Sequence, residues 1–104
     1  MKSLPVARAL ILSFGIAGAA TAAQAADGKA VYDKACAVCH AAGVANAPKF
    51  GDKAAWGPRV GAGVPTLVAT VIKGKGAMPP KGGAANLQEA DIQAAVEYMV
   101  GAAR

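Results

Sequence analysis

Two cysteines and one histidine are all that this chain of 104 residues holds of those residue types, and they stand together as Cys36-Ala37-Val38-Cys39-His40. Cysteines three residues apart project from one helical turn. A C-x-x-C pair serves a redox disulfide, half a zinc site or a haem attachment, and its surroundings separate these. A thioredoxin-like site wants a βαβ setting, and no strand pattern is present. A structural zinc site wants four ligands, and there is no second Cys/His pair to complete it. A Cys36–Cys39 disulfide would close a very short loop and stabilise little. C-x-x-C-H is the attachment signature of c-type haem: each thiol bonds one vinyl group, and the imidazole of His40 lies under the iron as proximal ligand. The expected cofactor is one covalent haem c.

The setting agrees. Lys2 and Arg8 precede an apolar run from Leu10 to Ala20, and Ala23-Gln24-Ala25 offers an A-x-A cleavage site. Residues 1–25 therefore read as a cleaved secretory signal peptide, the alternative being an uncleaved anchor. Cleavage leaves residues 26–104 as one domain with no integral membrane segment, exported to the compartment in which haem c is attached. A domain of that size often needs a staple such as a metal, disulfide or cofactor. Loss of the two leader cations lowers the net charge from +5 to +3. Lys49, Lys53, Lys73, Lys75 and Lys81 are scattered among loops with no basic run, which argues against nucleic acid and fits an acidic protein partner.

Asp27 is placed to cap a helix that starts at Gly28 and runs through Val31, Tyr32 and Ala35 into the cysteines. Residues 41–51 read as a loop, broken by Gly43, Asn46, Pro48 and Gly51. Asp52 caps a short second helix with Ala54, Ala55 and Trp56, which Pro58 should interrupt. Pro65 suits the first turn of a third helix, with Leu67, Val68, Val71 and Ile72 on one face and Gly74 at its end. Residues 74–83, GKGAMPPKGG, hold too much glycine and proline for a regular element and read as an exposed loop. Asn86 with Glu89 resembles a capping box, ahead of a last helix with Ile92, Ala95, Val96 and Met99 at core spacing. The fold class is all-α, about four helices wrapped around the cofactor.

A haem that only passes electrons takes a second axial ligand. The sole histidine is already used, which leaves methionine, lysine or solvent. Met1 leaves with the leader, and Met99 reads as packing. Met78 stands in the Gly/Pro loop without a packing role, and Pro79 and Pro80 would stiffen its backbone. His40 and Met78 are the expected metal ligands. Thioether ligation favours the ferrous state and raises the reduction potential.

With these residues in place, the chain resembles the small class I c-type cytochromes, most closely the cytochrome c5 type. The matching stretches are Gly28 with Tyr32 and CAVCH, APKFGDKAAWGPRV from Ala47, AMPPKGG from Ala77 and AAVEYM from Ala94. They span nearly all of residues 26–104. The resemblance implies a class I cytochrome c fold whose first and last helices cross, with Gly28 allowing close approach and Tyr32 and Tyr98 packed nearby. It implies that the Pro48 carbonyl accepts a hydrogen bond from the other imidazole nitrogen of His40, and that Trp56 and Arg59 lie near the haem propionates. It also implies periplasmic one-electron transfer between larger redox proteins. One stretch departs: many c5-type proteins carry a further cysteine pair where this chain has Gly83-Ala84-Ala85-Asn86.

The expected function is that of a periplasmic electron carrier, diffusible or membrane-associated, and not of an enzyme. Its partners would be a quinol-oxidising complex, a dehydrogenase or a terminal oxidase. An apolar slot between Cys39-His40 and Met78, walled by Val38, Leu67, Val71, Ile72 and Met99, would hold the haem. Lys73, Lys75 and Lys81 are candidates for partner docking. Two rivals are a haem subunit dedicated to one enzyme, and a sensor or peroxidase in which Met78 leaves the iron.

Overall fold

The computed structural model describes residues 26–104; the expected signal peptide of residues 1–25 and its expected cleavage site lie outside them. Asp27 opens the first helical stretch. Its Oδ1 accepts hydrogen bonds from the backbone N–H of Lys29 at 3.1 Å and Ala30 at 3.3 Å, filling donors that a helix start leaves unpaired. Asp27→Ala should cost about 1 kcal/mol, read as a lower urea midpoint at unchanged slope.

That stretch is one rod in three parts: α1 (Gly28–Val31), a π turn (Tyr32–Cys36) and α2 (Ala37–His40). The π turn closes with the Ala37 N–H on the Tyr32 carbonyl. One extra residue in a turn rotates the rest of the helix by about 100° around its axis. Tyr32 thereby stays in the core, while Cys36, Cys39 and His40 share a different face. Hydrophobic spacing alone carries no mark of this insertion.

Asp52 caps α3 (Lys53–Val60), its Oδ1 accepting from the N–H groups of Ala54 and Ala55, both at 3.1 Å. Pro58 does not interrupt this helix, which continues to Val60. Proline removes the hydrogen bond to the Ala54 carbonyl, but Ala54 and Pro58 are both exposed, so water can take that carbonyl. After Gly63 comes α4 (Val64–Lys73), with Pro65 in its first turn and Gly74 past its end. The cap of α5 (Glu89–Ala102) is not Asn86 with Glu89. Gln88 is the N-cap, and its N–H donates to Asp91 Oδ2 at 2.9 Å. Asn86 is held inside the preceding turn, which the Leu87 N–H closes on the Ala84 carbonyl at 3.0 Å.

Counting α1, the π turn and α2 as one rod, the described residues form four helices and no strand. Helix α5 carries the core on two sides. Met99, with Ala103 just past the helix end, packs with Tyr32 and Trp56, and Ile92, Val96 and Val100 pack with Val68 of α4. The α1–α5 crossing turns on Gly28: a Cβ there would run into the Ala94 carbonyl of α5 and lie 3.1 Å from the Tyr98 Cβ. Beside it, Tyr32, Phe50 and Tyr98 form an aromatic cluster with ring centroids 4.8–5.5 Å apart, an arrangement that adds to simple area burial.

Burial is the main cause that holds the Tyr32 phenol above the ordinary tyrosine range. Above about pH 10 the unfolded chain has released this proton while the folded protein keeps it. Tyr32 therefore costs nothing below that pH, and stability falls as the pH climbs through the raised value. Tyr32→Phe should flatten this alkaline fall in denaturant melts run across pH.

Candidate functional site

The two core clusters leave a cleft between α2, α4, α5 and the loops around Pro48 and Met78. It measures about 580 Å³, and its lining includes Cys36, Cys39, His40 and Met78. Its walls are largely apolar, with Leu67 and Val71 from α4 and Ile92, Val96 and Met99 from α5. Among the described residues no carboxylate lines it; its charged lining residues are Arg59, Lys75 and Lys81.

Two loop contacts set the histidine. The Nδ1 of His40 lies 2.9 Å from the Pro48 carbonyl. A carbonyl only accepts, so Nδ1 carries the proton and Nε2 of the neutral ring keeps its lone pair. The Phe50 N–H donates to the His40 carbonyl at 2.8 Å, which ties the same loop to the end of α2. Trp56 is buried, stands 5.9 Å from the His40 ring between centroids, and donates from Nε1 to the Lys49 carbonyl at 2.9 Å. Both rings are thus held by one short loop.

Burial pushes the Cys36 thiol up, away from the thiolate. This opposes the low-pKa state that marks nucleophilic or redox-catalytic cysteines.

Met78 lies in an ordered turn, more regular than its composition implies. Lys75 and Met78 exchange both backbone hydrogen bonds, each 2.9 Å. Of the two residues between them, only Gly76 has positive φ, at +60°, the pattern of a type II′ turn. Two tight turns follow, closed by the Gly82 N–H on the Pro79 carbonyl at 2.9 Å and the Ala84 N–H on the Lys81 carbonyl at 3.1 Å, with Lys81 and Gly82 at φ +58° and +64°.

An imidazole anchored through Nδ1, a soft thioether, two thiols and apolar walls make a donor set suited to a haem, in a cleft within the usual size range for cofactor sites, about 300–1,000 Å³.

The family described as "Cytochrome C oxidase, cbb3-type, subunit III" matches residues 23–99. Cytochrome c-555 of Chlorobaculum tepidum is 54% identical over 83% of this chain and 83% of its own.

The chain belongs to the c-type cytochrome family.

Cytochrome c5 of Azotobacter vinelandii is 43% identical over 74% of this chain and 95% of its own, so the likeness to c5 is shared with c-555. A cytochrome c solved in an electron-transfer complex with nitrite reductase is 59% identical, with a TM-score of 0.73 over 75% of this chain and 95% of that one. As a c-type cytochrome, the chain carries one covalently attached haem c, has the small class I fold, and is an electron carrier rather than an enzyme.

The wall of this cytochrome's cleft differs from the expected one at two places. Ile72 does not line the cleft; with Val64, Val68 and Ala69 it lines a groove on the other side of α4. One residue along a helix is a turn of about 100°, so Leu67 and Val71 face the cleft while Val68 and Ile72 face away. Val38 lines the cleft but is 77% exposed, because it projects from α2 between the two cysteines. Arg59 is exposed at the rim, and its guanidinium donates to the Ala55 carbonyl. Lys75 and Lys81 line the cleft, whereas Lys73 does not. Thr66 and Thr70 also line it, although no motif in the sequence marks them. Their spacing of four, one residue before Leu67 and Val71, is the available signal. The Thr70 hydroxyl donates to the Thr66 carbonyl at 3.0 Å, so its polarity is satisfied within the helix.

Proposed function

We propose that this cytochrome is a periplasmic one-electron carrier whose haem iron is ligated by His40 and Met78. The supporting observation is that its sole histidine, held with Nε2 free, and a methionine on an ordered turn line the same apolar cleft as both cysteines. When bound, the haem supplies a one-electron ferric/ferrous couple. Cys36 and Cys39 fix the position of the group. The Pro48 carbonyl orients the His40 ring and raises its basicity. The Met78 thioether favours the lower oxidation state, and the apolar walls disfavour the added charge of the higher one. Export by the leader of residues 1–25 places this chemistry in the periplasm. The cationic rim of Arg59, Lys75 and Lys81 suits brief docking to acidic redox proteins, consistent with a relative that binds nitrite reductase. A quinol-oxidising complex, a dehydrogenase or a terminal oxidase would fit that role.

The test is the ferric absorption spectrum. His/Met ligation gives a weak sulfur-to-iron charge-transfer band at the red end, and Met78→Leu should abolish it and lower the reduction potential. A wild-type spectrum without the band, or a Met78→Leu spectrum that keeps it, would contradict this ligand set.

A further inference from the structure

Gly74 has φ +88° and ψ 157°, a backbone region open essentially to glycine alone. A Cβ on Gly74 would lie 2.9 Å from the Met78 carbonyl oxygen, 2.9 Å from the Pro80 nitrogen and 3.1 Å from the Pro79 carbonyl carbon. All three are backbone atoms that cannot swing aside. The backbone of residues 78–80 thus rests directly on the end of α4, in the space a side chain would fill. Helix α4 is anchored in the core by Val68, and its last turn is closed by the Gly74 N–H on the Thr70 carbonyl at 2.8 Å. The reciprocal Lys75–Met78 bonds then leave the Met78 backbone little freedom.

We infer that Gly74 is a positioning residue for the distal ligand: its missing side chain lets the end of α4 act as the abutment that sets where the Met78 sulfur stands. This rests on the proposed role of Met78 as ligand. A rigid arm keeps the sulfur in place through both oxidation states, and a displaced arm opens the iron to other ligands.

Gly63, at the other end of α4, supplies an internal control. Its backbone is nearly the same, φ 91° and ψ 149°, yet a Cβ there meets only the Pro65 Cδ at 3.8 Å. Gly63→Ala therefore carries the same backbone strain without touching the Met78 arm. The experiment titrates ferric wild type, Gly63→Ala and Gly74→Ala holoproteins with imidazole, beside thermal melts and the charge-transfer band. Both variants should melt earlier. Gly74→Ala should weaken the band and bind imidazole about tenfold more tightly, as expected for strain moved onto the ligand arm; Gly63→Ala should match wild type in both. Equal imidazole affinity in the two variants would overturn the inference. A wild-type protein without the band would instead remove the Met78 reading beneath it. If Gly74→Ala yields no holoprotein, Gly76→Ala loosens the same arm where a Cβ has open space. It should then bind imidazole more tightly than Gly63→Ala, and failure to do so would equally overturn the inference.

Discussion

A chain in which Cys36 and Cys39 are both serine is expected to run as a colourless band on a denaturing gel stained for haem, where the wild type is coloured. Among the described residues these are the only thiols, so no other side chain can form the thioethers. Without them the cofactor is held by reversible ligation and apolar contact alone, and its stabilisation of the fold becomes concentration-dependent. The consequence for the protein is large because the domain is small. No disulfide or metal cluster supplements the core among the described residues, and a domain of this size has little stability to spare. The double variant should therefore accumulate poorly and show a much weaker helical signal. Each single variant keeps one thioether and should give reduced but coloured product. A double variant that still stains after denaturation would contradict attachment at this motif.

Gly28→Ala is expected to destabilise the holoprotein by about 3 kcal/mol, the upper end for overpacking, because the obstacle is backbone. The added carbon would lie 2.9 Å from the Ala94 carbonyl carbon and nearer still to its oxygen. No rotamer change relieves that contact; α1 or α5 must move. In a domain of this length the loss corresponds to a fall in Tm of about 12–24 °C. It should also reach the cofactor, since the shifted α5 carries Val96 and Met99, which line the cleft. Gly101→Ala is a suitable control: Gly101 is exposed within α5 and its Cβ would meet nothing within 4 Å, so alanine should be neutral or slightly stabilising. Equal melting temperatures for Gly28→Ala and wild type would show that the crossing is looser than described.

The contrast between these glycines shows what a sequence displays and what it hides. Residue types with few alternatives are legible. A single histidine beside two cysteines leaves almost no freedom in assigning attachment, and elimination among the remaining side chains leads to the proposal of Met78 as second ligand. Helices with strong signals, such as the one capped by Asp27 or the one begun near Pro65, also appear where composition places them. Features that depend on three-dimensional register are not legible. The π turn at Tyr32–Cys36 is an insertion of one residue into a regular pattern, and a short helix carries too few periods to reveal it. The two apolar faces of α4 look like one broad face in sequence, so Ile72 falls in with Leu67 and Val71 until the fold separates them. The competition between Asn86 with Glu89 and Gln88 with Asp91 is settled by the turn that consumes Asn86. Proline within α3 is tolerated because its exposed surroundings let water replace a lost hydrogen bond. The order of the Met78 loop is hidden by the glycine and proline that produce it: Gly76 makes the tight turn, and Gly74 makes the room.

The two methionines of the folded domain allow the most direct test of the central claim. Met78 is assigned to the iron, while Met99 is buried in the core and also borders the cleft. In the ferrous, diamagnetic protein, a methyl group held over the porphyrin by a bond from its sulfur to the iron feels the full ring current. With ¹³C-methyl-methionine labelling and Met78→Leu for assignment, the Met78 methyl should appear far upfield of every other methyl resonance, and Met99 should remain near the usual methionine range. A Met78 methyl at an ordinary shift, or an extreme upfield shift that survives in Met78→Leu, would contradict ligation by this residue.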